Sequence, residues 1–147
     1  VRLLLDAKGT VQCTASPLPA AAGEAGGRIA LFPRPVDSSD PFLYHKTTNR
    51  PLYNTAYKEA RARGLLDYVF CNEKGEITEG CISTILARLD GSLVTPPVAS
   101  GLLPGTLRAE LLENAAAHEQ VLTWNDLRRA EAIFAGNSVR GLVECRL

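Results

Sequence analysis

The chain has 147 residues, 16 Lys+Arg against 16 Asp+Glu, and 46% hydrophobic residues. Balanced charge leaves no basic footprint for nucleic acid or an anionic membrane surface, and no apolar run approaches the roughly 18 residues of a membrane span. Leu, Ile, Val and Phe make up about a quarter of the chain, above the roughly 20% that marks disordered sequences, so a folded unit with one real core is expected.

In chain order, residues 1–15 predict a hairpin: Val1-Arg2-Leu3-Leu4-Leu5, a turn at Asp6-Ala7-Lys8-Gly9, then the alternating Thr10-Val11-Gln12-Cys13-Thr14. Residues 17–27 are a Pro, Ala and Gly-rich loop, 28–32 a third strand, and 33–41 a breaker-rich connector. The expected domain boundary falls there, near residue 42. Beyond it, helical spacing over 52–63 stops at Gly64. Short strands are expected at 68–71, Ile77, 81–89 and 93–94, with turns at Glu73-Lys74-Gly75 and Asp90-Gly91-Ser92. Pro104-Gly105 opens a helix running to about 116. A strand at 120–122, a short helix at 125–130 capped by Thr123 or Asn125, and strands at 132–134 and 141–145 complete the chain. This is an α+β pattern of many short strands, suited to a closed or half-closed barrel.

The four cysteines, at 13, 71, 81 and 145, match no zinc or redox spacing, and neither His45 nor His118 lies beside one. No metal site is expected, and unpaired thiols point to a reducing, cytoplasmic compartment. The chain opens on Val1 and contains no Met, from which we expect a segment of something longer.

Four local features could carry chemistry, and each has an ordinary reading as well. Lys46, in Tyr44-His45-Lys46-Thr47-Thr48-Asn49-Arg50, is either a solvated surface lysine or an amine placed to attack a carbonyl. Glu79, entering an apolar strand, is either an edge charge or a buried acid aimed at a ligand nitrogen. The turn Ser100-Gly101-Leu102-Leu103-Pro104-Gly105-Thr106-Leu107-Arg108 delivers a helix N-terminus, whose free N–H groups suit a phosphate. Gly136-Asn137-Ser138 is a small hydroxyl-bearing turn that could complete a phosphate cup. A lysine, a strand-borne glutamate and two anion-binding turns, in that order, are the parts a pyridoxal phosphate site needs.

On these residues the chain, from about 42 to 143, resembles the class IV (D-amino-acid and branched-chain aminotransferase-like) pyridoxal phosphate enzymes. Lys46-Thr47-Thr48-Asn49-Arg50 is similar to the family's Lys-x-x-Asn-Arg strip, Thr78-Glu79-Gly80 to its Thr-Glu-Gly segment, and Gly105-Thr106-Leu107-Arg108 to its Gly-x-x-Arg. Gly136-Asn137-Ser138 sits where the family has its second phosphate turn. Within the family, the His45–Arg50 strip and the lead-in from Pro35 to Phe42 most resemble the aminodeoxychorismate lyase branch, in the form fused behind para-aminobenzoate synthase component I. That branch releases pyruvate from 4-amino-4-deoxychorismate and makes 4-aminobenzoate for folate.

The resemblance implies a large pyridoxal phosphate domain over 42–147, a half-barrel with flanking helices, preceded in 1–41 by the tail of a small α/β domain. It implies Lys46 as the lysine that joins the cofactor aldehyde and then carries a proton. Glu79 is implied as the partner of the pyridine nitrogen, Leu103 as the residue packing on the ring, and Thr106, Leu107 and Ser138 as phosphate holders. Arg50 is a candidate partner for a substrate carboxylate. A homodimer or a fused aminodeoxychorismate synthase domain is the implied partner. The chain departs from the family near Thr84, where members carry Asn or similar, and at Glu144, where they commonly carry Pro, and lacks most of the small domain that supplies an Arg to the phosphate. The rival readings are an amino acid aminotransferase using the same parts, and a non-catalytic remnant packed on a fused partner.

Overall fold

Tyr68, Val69 and Phe70 are three consecutive apolar residues, and an extended strand sends such neighbours to alternate sides. In the structure, a computed structural model that describes residues 1–18 and 26–147, they lie in a strand, Asp67–Cys71, covered on both faces. Val69 joins an interior cluster with Ile29, Ile77, Ile85, Ile133 and Leu122. Tyr68 and Phe70 pack on the other side, with Tyr53, Ala56 and Ala60 of a helix, α1 (Pro51–Ala62).

That helix begins on Pro51, whose fixed φ suits the first helical position. It ends in a Schellman arrangement: Gly64 takes φ +68, its N–H reaches the Arg61 carbonyl, and the Leu65 N–H reaches the Ala60 carbonyl at 2.9 Å. The small residues Ala56 and Ala60, four apart, let the helix approach the sheet closely.

The strands are β1 (Arg2–Leu5), β2 (Val11–Thr14), β3 (Gly27–Leu31), β4 (Asp67–Cys71), β5 (Ile77–Gly80), β6 (Thr84–Leu89), β7 (Ser92–Thr95), β8 (His118–Glu119), β9 (Ala132–Asn137) and β10 (Gly141–Arg146). β1 and β2 form a separate antiparallel pair. The other eight form one mixed sheet in the order β5-β4-β3-β10-β9-β6-β7-β8. β3 is parallel to both β4 and β10, and β7 to β8; the remaining pairs are antiparallel. β5 and β6 follow each other in the chain yet four strands separate them in the sheet. The Gly80 N–H nevertheless donates to the Ser83 carbonyl, and the Ile77 N–H to the Leu122 carbonyl, both at 2.7 Å. Those contacts require the sheet to curl, and the interior cluster, drawn from seven of its strands, fills the curl. The expected α+β half-barrel is what forms.

The helix α2 (Thr106–Glu113) is shorter than expected because Ala115 turns to φ +53 and the chain leaves the helical path. The short helix α3 (Trp124–Arg129) starts on Thr123, not Asn125, with a reciprocal capping box between Thr123 and Asp126. The strand expected at 120–122 is not one: the pairing with β7 is made at His118 and Glu119, and the Leu122 carbonyl turns to Ile77 instead. The strand expected over 81–89 begins only at Thr84, since Cys81–Ser83 form a turn held by Asp67. Part of the expected loop at 17–27 lies outside the described residues.

The third predicted strand, placed before the boundary near residue 42, is β3, and it sits inside the large sheet between β4 and β10. By sheet membership the chain divides between β2 and β3. The β1–β2 pair is exposed, Leu3, Leu5 and Val11 included, except at half-buried Leu4.

Close packing at the crossing of β9 and β10 leaves no room for a side chain at Gly136. A Cβ there would stand 2.3 Å from the Gly141 carbonyl oxygen, a backbone atom. Gly136→Ala is therefore expected to destabilise the fold by about 1–3 kcal/mol in urea denaturation.

Candidate active site

Glu79 is the penultimate residue of β5, between buried Thr78 and Gly80, and only 6% exposed itself. The Arg50 guanidinium meets it, Nη2 to Oε1 at 3.0 Å. Behind that pair lies the ring of Tyr53, with the Arg50 Cζ 4.3 Å from its centroid. Burial pushes the Glu79 carboxyl up to about 7, against the opposing pull of Arg50, the Leu103 backbone N–H, Lys46 and Tyr53. Burial also raises the Tyr53 hydroxyl, and the Glu79 charge adds to that rise.

The sign of the resulting pH dependence follows directly. Unfolded, Glu79 loses its proton near 4.5; folded, it keeps it to about 7. Between those values the folded chain binds more protons, so stability falls as pH rises through the window, by roughly 2–3 kcal/mol in all. Urea denaturation at pH 5 and pH 8 should show this loss in the native chain. Glu79→Gln, which has nothing to titrate, should lack it; an identical slope in both proteins would refute the assignment.

Glu79 and Arg50 form the floor of a cleft of about 340 Å³. On one side is Lys46, in the loop between the 3-10 turn Pro41–Leu43 and α1. Its loop is shaped by the Asn49 N–H donating to Thr47 Oγ1 and the Arg50 N–H to the Thr48 carbonyl. Lys46 is itself exposed, at the open rim. Opposite stand half-buried Leu103 and the start of α2. The residue before that helix is Gly105, which offers no side-chain cap. The first-turn N–H groups of Thr106 and Leu107 therefore have no intrahelical or capping partner. Arg108, 4% exposed, also lines the cleft. It donates to the Pro96 carbonyl at 2.8 Å and pairs with Glu119, while its Nε meets no hydrogen-bond partner among the described residues.

The third wall is the end of β9. Gly136 and Asn137 belong to the strand, not to a turn as expected, and exposed Ser138 begins the turn beyond. Asn137 ties the wall together: its Nδ2 donates to the Ile82 carbonyl at 3.1 Å, and its Oδ1 accepts from the Val139 and Arg140 N–H groups.

The cleft thus gathers Lys46, Arg50, Glu79, Leu103, Thr106, Leu107 and Ser138, residues spread over 93 positions of the chain. Arg50, the candidate for a substrate carboxylate, touches groups of the chain itself. It is bonded to Glu79 and stacked on Tyr53, so its cationic face is turned to the glutamate.

Reading the sequence missed two supporting residues. Asp67, wholly buried, accepts the N–H groups of Tyr68, Cys81 and Ile82 and the Ser83 hydroxyl, shaping the turn that follows Glu79. Its signal was present as a lone acid within the apolar run Leu65–Phe70. Asn137 lay within the expected turn, but its bond to Ile82, 55 residues away, left no local signal.

Residues 2–147 match the profile of the family described as amino-transferase class IV. The chain belongs to the class IV aminotransferase family. Members of this family are pyridoxal phosphate enzymes, and one fold neighbour was solved in its PLP-bound form. The chain is 33% identical, over 106 residues, to a Schizosaccharomyces pombe protein provisionally named aminodeoxychorismate lyase; the match covers 69% of this chain and 46% of that protein. An amino-acid aminotransferase structure from Mesorhizobium loti, also provisionally named, superimposes with a TM-score of 0.92 at 39% identity, covering 99% of this chain and 70% of that one. A Legionella pneumophila structure provisionally named 4-amino-4-deoxychorismate lyase shares the fold, with a TM-score of 0.80 at 24% identity over 92% of this chain and 51% of its own. The chain spans about half the length of the curated relatives it matches. Among the described residues, no helix is long and apolar enough to cross a membrane.

Proposed function

We propose that the cleft is the pyridoxal phosphate site of a 4-amino-4-deoxychorismate lyase domain, which forms 4-aminobenzoate and pyruvate. The observation that carries this reading is the meeting, in one cleft, of a reachable lysine, a buried glutamate and an uncapped helix start. Those residues fit the group: the free N–H groups of α2 suit a phosphate, and a carboxylate buried against its preference suits a protonated ring nitrogen. The lyase branch is supported by the S. pombe relative named for that activity.

Bound pyridoxal phosphate supplies an aldehyde that captures an amino group covalently and a ring that draws electrons from the neighbouring carbon. The N–H groups of Thr106 and Leu107, with the Ser138 hydroxyl, would hold the phosphate, and Leu103 would pack on the ring. Glu79 would keep the ring nitrogen protonated. Lys46 would anchor the group and, as a free neutral amine, would take the proton from the substrate carbon bearing nitrogen. Its open position leaves room for a substrate amine to arrive. The overall reaction, 4-amino-4-deoxychorismate to 4-aminobenzoate and pyruvate, balances with no second substrate and no redox partner. The β1–β2 pair is, on this reading, the end of a small domain whose remainder walls the cleft, in a homodimer or beside a fused aminodeoxychorismate synthase domain.

The test is borohydride reduction of the protein incubated with pyridoxal phosphate, followed by peptide mapping. A reduced adduct on Lys46 is expected; one on Lys8, Lys58 or Lys74 instead would overturn the assignment. The M. loti likeness favours a second reading, an amino-acid aminotransferase. Pyruvate released without any keto acid acceptor separates the lyase from it.

A further inference from the structure

We infer that Arg50 is a positioning residue for Glu79, a fixed cation that favours the charged carboxylate against burial and aims it into the cleft, and that it is not a contact for the substrate's carboxylate. The inference rests on the cofactor reading above.

Three features of Arg50 support it. Its Nη2 lies 3.0 Å from Glu79 Oε1, and both side chains are largely buried, 14% and 8% exposed. Its opposite surface rests on the Tyr53 ring, a cation–π contact that fixes the plane of the guanidinium. Its backbone immediately precedes Pro51 and the start of α1, so the arm springs from a rigid point. Turning it toward a substrate would break the ion pair and leave Glu79 buried without its nearest cation.

The other groups near Glu79 cannot replace it. Lys46 sits at the exposed rim, and its amine is spent when it joins the cofactor. Tyr53 brings only a hydroxyl whose proton burial makes hard to lose. Arg108, across the cleft, is committed to Pro96 and Glu119. The task is also a demanding one: burial favours the neutral acid, whereas holding a proton on a ring nitrogen requires the charged one.

The test is the titration of Glu79 in the cofactor-free protein, read by the carbon NMR shift of its labelled carboxyl. In Arg50→Gln the midpoint should rise by about one pH unit or more above that of the native chain. Arg50→Lys, which restores charge without the planar stack, should bring it most of the way back. A Gln midpoint equal to the native one, or a Lys variant that titrates like Gln, would overturn the inference. In the loaded enzyme, Arg50→Gln should lower kcat and shift the acid limb of its pH profile upward, with KM little changed. A rise in KM at constant kcat would restore Arg50 to the substrate. If no adduct forms on Lys46 even in the native protein, the cofactor reading fails, while the titration still decides whether Arg50 governs Glu79.

Discussion

Lys46→Ala is expected to lower 4-aminobenzoate formation by roughly 10⁴-fold or more, the scale seen when a residue that is both covalent anchor and proton carrier is removed. Product fluorescence per mole of folded protein measures it. The loss should not come from unfolding, because Lys46 is exposed and outside both apolar clusters; stability should stay within about 0.5 kcal/mol of the native chain. Lys46→Arg should be nearly as inactive. A guanidinium keeps the charge but not a neutral nitrogen able to bond a carbonyl or accept a proton. Retention of a tenth of the native rate by either variant would place the chemistry elsewhere.

Asp67→Ala is expected to cost about 3–5 kcal/mol of stability, measured by urea denaturation at neutral pH. One carboxylate satisfies the N–H groups of Tyr68, Cys81 and Ile82 and the hydroxyl of Ser83. Deleting it leaves the buried Tyr68 and Cys81 N–H groups unpaired and frees the Ile82 and Ser83 donors at the edge of the cleft. Burial raises the Asp67 carboxyl above the ordinary Asp range, while its hydrogen bonds to Cys81, Ser83 and Ile82 oppose the rise. The acid is thus retained in spite of its charge, for what it accepts. Asp67→Asn preserves the shape and one acceptor oxygen, and should cost less than half as much. Because the turn it shapes also lines the cleft through Ile82 and Ser83, the alanine variant should hold pyridoxal phosphate more weakly where it still folds. An alanine variant as stable as the native chain would show the acid to be dispensable.

Local features were legible in the residues. Helix α1 was readable because its apolar residues recur at helical spacing and Gly64 supplies the left-handed stop. The β1–β2 hairpin was readable from its turn, and α3 from Thr123 and Asp126. The positions that meet in the cleft were readable in order: Lys46, Glu79, the Gly105 helix start and Ser138. Each of these signals lies within a few residues, so the chain alone carries it.

The strand limits around the site were not legible, because long-range partners set them. Cys81–Ser83 have strand-forming composition, but Asp67, 14 residues earlier, captures the Cys81 N–H and bends the segment into a turn. Gly136-Asn137 look like a turn, but β6 and β10 flank them and extend β9 through both. β3 follows a loop and precedes a breaker-rich stretch, yet it belongs to the large sheet because β4 and β10 both pair with it.

By itself the sequence determined which candidate residues line the cleft, their order, and a half-barrel of short strands, since propensity, turns and motif spacing are local properties. Only the tertiary structure decided that the curl of the sheet closes Lys46, Glu79 and the α2 start around one cleft. It also decided that Arg50 faces Glu79, because burial and ion pairing depend on which distant groups the fold makes neighbours.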